Sequence, residues 1–134
     1  MELMPTSNTA RGPTETFTGD VYLTPIYRGT GPSRMIVSLV RFTPGARTAW
    51  HSHAVGQTLH VTDGIGLVQT RDGTVIRVRP GDTVHSPPGE EHWHGAASGT
   101  FMAHLALLEG ESGRDGATWL EPVTDADYRA ADER

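Results

Sequence analysis

Ten short runs of β-forming residues, none longer than nine, are cut apart by glycine, proline and aspartate, and no helical period is long enough to build a core. The runs are Thr16–Thr18, Val21–Tyr27, Met35–Phe42, Ala49–His53, Gln57–Thr62, Gly66–Thr70, Thr74–Arg79, Thr83–Ser86, His92–Gly95 and Thr100–Leu108. Asp72–Gly73 between two alternating runs is a hairpin signal. Pro80–Gly81 and Pro88–Gly89 are turn dipeptides. Many short strands at regular spacing predict an all-β antiparallel sandwich or barrel. Residues 1–13 are polar and proline-containing and read as a flexible tail, leaving residues 14–134 as a single domain. The chain end differs in texture. Thr124 is placed as an N-cap with Asp127 in a capping position, which predicts a short helix over Asp125–Ala131.

Composition narrows the chemistry. The chain has no cysteine, and all 11 of its Lys+Arg cations are arginine. Disulfides, thiolate metal sites, thiol nucleophiles and Schiff-base lysines are therefore excluded. A net charge of −5 argues against a nucleic-acid groove. No apolar run approaches the ~20 residues of a membrane helix. The N-terminus lacks a cationic start and an apolar stretch, so no secretory signal is read and a cytoplasmic location is expected.

Two strings stand out. In Pro44–Gly64, Gly45 is followed after five intervening residues by His51, after one by His53, after three by Gln57 and after six by Gly64. In Gly81–Gly95, Gly81 is followed after five intervening residues by Pro87, after one by Gly89 and after two by His92. Alternate side chains on a strand share a face, so His51 and His53 point together, as do His92 and His94. Gln57, Leu59 and Val61 share one face, and Thr58, His60 and Thr62 the other. Three imidazoles and an amide oxygen suit one divalent transition metal with open positions for a substrate. The residues alone leave manganese, iron, cobalt, nickel, copper and zinc open.

Together the two strings resemble the two motifs of the cupin superfamily, a small antiparallel jelly-roll barrel. The resemblance spans roughly residues 34–108. Gln57 stands where most metal-binding cupins have glutamate, and Ala96 where the second motif often ends in asparagine. The neutral amide leaves the ion its full charge, which favours Lewis-acid chemistry over oxygen activation. The runs FTPGARTAWHSHAVGQTLHVTDG and PGEEHWHGAA, the His104 strand and WLEPVTDADYR look like small bacterial cupins that include manganese-dependent hydroxynitrile lyases. That resemblance implies His51, His53, Gln57 and His92 as metal ligands, with manganese the first expectation. It implies His94 and His104 as catalytic acid/base partners, and Ser38 and Val40 as cavity lining. It also implies a homodimer, with Val21–Tyr27 a plausible exchanged strand.

The expected function is a metal-dependent carbon–carbon lyase or isomerase acting on a small oxygenated molecule. Competing readings are a cupin-type dioxygenase, a polyketide-tailoring cyclase and a non-enzymatic ligand-binding cupin. For His94 and His104 a purely structural role competes with chemistry. His60 and His85 are expected on the surface, as is a salt bridge at Arg47. Trp50, Trp93 and Trp119 are expected to pack rather than to stack on substrate.

Overall fold

The computed structural model describes residues 1–111 and 115–134. Thirteen strands precede one helix: β1 (Ala10–Arg11), β2 (Phe17–Thr18), β3 (Val21–Arg28), β4 (Met35–Phe42), β5 (Arg47–Thr48), β6 (His51–His53), β7 (Gln57–Gly64), β8 (Gly66–Thr70), β9 (Val75–Val78), β10 (Thr83–Ser86), β11 (His92–Ala96), β12 (Met102–Glu109), β13 (Ala117–Trp119) and α1 (Asp125–Asp132). One sheet has the order β1-β3-β4-β12-β7-β10. The facing sheet runs β13-β6-β11-β5-β2, with β8 on the other edge of β11 and β9 beyond it. Every pairing is antiparallel. The architecture is the jelly-roll barrel with a short C-terminal helix that the strand pattern and the motif resemblance predict.

The core has two parts because the second sheet is buried on both faces. Val21, Val40, Phe42, Leu59, Val61, Val68, Val78 and Met102 fill the space between the sheets. Trp50, Leu67, Trp93, Val123, Tyr128 and Ala131 fill a smaller layer under α1. The alternation along β11 makes both possible: His92 and His94 face inward, while Trp93 faces the helix side and packs its ring 6.0 Å from Tyr128. The helix starts as its sequence predicts, with the Thr124 hydroxyl accepting from the Asp127 N–H.

Three features depart from expectation. The run Ala49–His53 is split, because the Ala49 N–H bonds to Thr16 O and the Trp50 N–H to Glu121 O rather than to a ladder neighbour. Within residues 1–13, expected as a loose tail, Ala10 and Arg11 pair with Leu23 and Tyr22. The strand β13 went unread, and it pairs along β6 with Ala117 opposite His53 and Trp119 opposite His51. No helix is long and apolar enough to cross a membrane among the described residues.

Candidate metal centre

Both sheets contribute to one interior site. From one come His51 and His53 on β6 and His92 and His94 on β11. From the other come Gln57 on β7 and His104 on β12. The register brings them together: His92 lies opposite His51, and His104 opposite Val40 and Val61. All six side chains are buried. Ligand atoms of His51, His53 and His92 lie within 4.8 Å of one another.

Backbone carbonyls set the tautomers of two of these rings. His51 Nδ1 lies 2.9 Å from Ala49 O, and His92 Nδ1 lies 3.1 Å from Glu90 O. A carbonyl only accepts, so each Nδ1 carries the proton and each Nε2 presents a bare lone pair. Gln57 Oε1 sits 3.4 Å from His92 Nε2, one acceptor facing another. Neither ring nitrogen of His53 has a partner among the described residues, although both are buried. Two facing acceptors and an orphaned buried imidazole are costly unless a cation satisfies them. The residues therefore fit a divalent metal: His51, His53 and His92 can hold one, and Gln57 is placed beside them.

Burial keeps these rings neutral, the form a metal needs. His51 is held well below the ordinary imidazole value, first by burial and next by His92. Burial and then His92 push His53 down to about 4. Burial also lowers His92. His94 is pushed well below its ordinary value by burial and by His104. His104 is lowered by burial to about 4.

His94 and His104 form a second unit. His104 Nε2 lies 3.0 Å from His94 Nδ1, so the two rings share one proton across that contact. His94 Nε2 and His104 Nδ1 are buried without partners among the described residues. Phe42 closes the back of the pair, 5.8 Å from the His94 ring and 5.4 Å from the His104 ring. The Thr48 hydroxyl accepts from the His94 backbone N–H and fixes that strand against its neighbour.

A cavity of about 350 Å³ opens onto this constellation. His51, His53, Gln57, His94 and His104 line its deep end, and Ser38 and Val40 line it as the resemblance implies. Its walls are otherwise mainly apolar, with Phe17, Leu23, Ile36, Ala106, Leu108 and Trp119. Trp119 was expected to be packing only. Its ring stacks on His51 at 4.5 Å and 30°, and it also faces the cavity. Reading β13 as a strand opposite β6 would have found it. Arg28 and Asp115 also line the cavity and were not singled out from the sequence.

Other residues lie elsewhere. His60 and His85 sit on the outer face of β7 and β10, bonded to Thr83 and Thr58. Arg47, expected to make a surface salt bridge, is buried instead. It donates to Val123 O and Asp125 Oδ1 and lies 4.7 Å from the Tyr128 ring, clasping the helix. Trp50 and Trp93 are packing residues, Trp50 with Arg71 at 4.0 Å from its ring.

Residues 38–108 match the family described as Cupin domain. The chain is 48% identical over 119 residues to an (R)-mandelonitrile lyase from Granulicella tundricola, covering 89% of this chain and 90% of that protein. A cupin-like protein from Thermotoga maritima superposes with a TM-score of 0.87 at 36% identity, over 99% of this chain and 98% of that one. A polyketide cyclase from Streptomyces resistomycificus shares the fold at a TM-score of 0.64 and 20% identity, over 81% of this chain and 76% of its own.

Proposed function

The chain belongs to the cupin family, and from that premise we propose that it is a manganese-dependent lyase that cleaves or forms the carbon–carbon bond of a small hydroxynitrile. The observation that carries this reading is the buried His94–His104 pair on the wall of the same cavity as the three-histidine cluster. A metal site needs only its ligands. A second pair of imidazoles with unpartnered nitrogens beside it is what proton transfer needs. The relative's name, (R)-mandelonitrile lyase, supports the substrate class.

His51, His53, Gln57 and His92 would hold the ion, which when bound supplies a Lewis-acid centre for the substrate oxygen. Gln57 adds no charge to that ligand set. In cleavage, the carbon–carbon bond breaks with its electron pair leaving on the cyanide carbon, and the hydroxyl oxygen becomes the carbonyl. The hydroxyl proton must leave oxygen and end on cyanide. His94 Nε2, buried and without a partner among the described residues, would accept and return it. With the shared proton on His94 Nδ1, Nε2 is a bare base. When Nε2 takes the substrate proton, the shared proton shifts to His104 Nε2 and the pair carries the added charge, and the reverse shift frees His94 to give the proton at Nε2 to cyanide. One ring can thus serve both directions, with Phe42 shielding the pair.

The cavity volume of about 350 Å³ sits at the small end of ligand pockets. It suits a one-ring molecule and disfavours a multi-ring polyketide. The test is direct. Manganese-loaded protein mixed with benzaldehyde and cyanide should give mandelonitrile enriched in the R form. An enantiomeric excess no greater than that of metal-stripped protein overturns the reading.

A further inference from the structure

The cavity is lined at its opening by an exposed cation that strict alternation would have turned to the outer face. Strand β3 sends Val21, Leu23 and Pro25 inward, opposite Phe42, Val40 and Ser38 of β4. Strict period-two continuation would send Tyr27 inward and Arg28 out to solvent. The ladder instead shifts between Pro25 and Tyr27, so Tyr27 faces Val37 and Arg28 faces Ile36. Ile36 is an inward residue, buried to 8% exposure. The bulge thus reverses parity and turns Arg28 onto the cavity face, where it lines the opening. A bulge that re-aims one side chain beside a site is a device rather than a defect.

No hydrogen bond or ion pair holds Arg28 among the described residues. Its neighbours on the cavity wall are Ile36, Ser38 and Leu108. Among the described lining residues the single carboxylate is Asp115, just before β13, where its Oδ1 accepts from the Ala117 N–H. Register fixes the distance scale. Arg28, Ile36, Leu108 and Gln57 form one row across β3, β4, β12 and β7. Three interstrand steps of ~4.8 Å put the Arg28 and Gln57 backbones about 14 Å apart. An arginine side chain reaching inward leaves room for roughly one aromatic ring between its head and the metal cluster.

We propose that Arg28 makes the cavity selective for carbonyl substrates that carry a carboxylate about one ring away from the reacting carbon. This deepens the hydroxynitrile reading and rests on the same cavity, with the reacting carbon at the histidine end. The guanidinium fork donates to both oxygens of a carboxylate, which a neutral amide cannot match.

The isosteric pair 4-formylbenzoate and 4-formylbenzamide tests it. Each is titrated calorimetrically into the manganese-loaded protein without cyanide, alongside benzaldehyde. The native protein should bind the benzoate about three- to tenfold more tightly than the benzamide, a range set by a partly exposed charge-assisted pair. Arg28→Gln should bring that ratio to one and leave benzaldehyde binding unchanged, and Arg28→Lys should keep part of it. A ratio of one in the native protein, or an unchanged ratio in Arg28→Gln, overturns the proposal. So does a third pattern, in which Arg28→Gln keeps the binding ratio but raises KM for cyanide with benzaldehyde, since the arginine would then serve cyanide. Because binding is read without turnover, a protein that makes no mandelonitrile still reports on Arg28, and the two readings fail separately.

Discussion

Gln57 shows how one atom sets the character of a site. Its amide oxygen faces the bare Nε2 of His92 at 3.4 Å and brings no negative charge. A carboxylate there would hold a divalent ion more tightly and lower its electrophilicity. Gln57→Glu should therefore tighten manganese binding in a calorimetric titration while lowering cyanohydrin turnover on the order of tenfold. Equal turnover in both forms would remove the special role of the amide. His104 carries a second expectation, concerning pH. Its folded value of about 4 lies below the ordinary 6.5. Between those values the unfolded chain takes a proton that the folded chain refuses. Stability of the metal-free protein is thus intact above about pH 6.5 and falls as pH drops toward 4, by about 3 kcal/mol from this ring. His94 acts in the same direction. Urea unfolding at pH 7.5 and pH 4.5 measures it, and equal midpoints would contradict it. The three-histidine cluster was legible as residues because a strand has a period of two and the motif spacing is tight. Tautomer, burial and the His94–His104 contact were not legible, because each depends on which carbonyl or ring another strand brings opposite.

Short strands and irregularities decide what reaches the cavity. β13 has three residues and no alternating apolar pattern, so nothing local marks it as a strand. It forms because β6 offers an open edge, and it carries Trp119 onto His51. The bulge in β3 is equally silent in a period-two reading, since Pro25 and Ile26 differ little in pattern from their neighbours. Glycines are easier to read where geometry demands them. Gly64, the last residue of the first motif string, has φ of +76°, and a Cβ there would meet Phe101 O at 1.8 Å. Gly64→Ala should cost at least about 2 kcal/mol, from left-handed strain and a backbone clash that no side chain can relieve. Thermal unfolding of the variant measures it, and an unchanged Tm would show that the β7–β8 connection can move. The helix clasp is separable from the site. Arg47→Met leaves Val123 O and Asp125 without their charged donor and should cost about 2 kcal/mol, with metal affinity unchanged. Loss of metal binding in that variant would mean that the helix layer positions the ligand strands after all.

Composition, turn dipeptides and motif spacing were enough for an all-β barrel with a capped helix at its end, because those signals are local and repeated. What they could not show is which sheet face remains uncovered, since that follows from the pairing order of distant strands. In the six-stranded sheet, inward residues fill the core while Tyr27, Val37 and Leu107 form one outward row and Thr24, Leu39 and Leu105 the next. Met35 and Tyr22 flank them and are exposed to 43% and 40%. Sheets with a solvated face normally alternate apolar with polar. Here the middle of the outward face is leucine, valine and tyrosine, and the second sheet's outer face, by contrast, is covered by α1. An apolar outer face of this kind marks an interface. Two copies of this face would meet as a two-fold pair, which is how a dimer closes without leaving an open surface. Strand β3 pairs with β4 of its own chain, so such a dimer needs no strand exchange, only face-to-face contact. We therefore expect the protein to sediment at twice its 14.5 kDa chain mass. Leu39→Arg or Leu107→Arg, placed in the middle of the face, should halve that mass while leaving manganese binding intact, because both side chains point away from the cavity. A native protein that sediments at the mass of one chain would show that the leucines of this face stay in contact with water and that the site is complete within a single barrel.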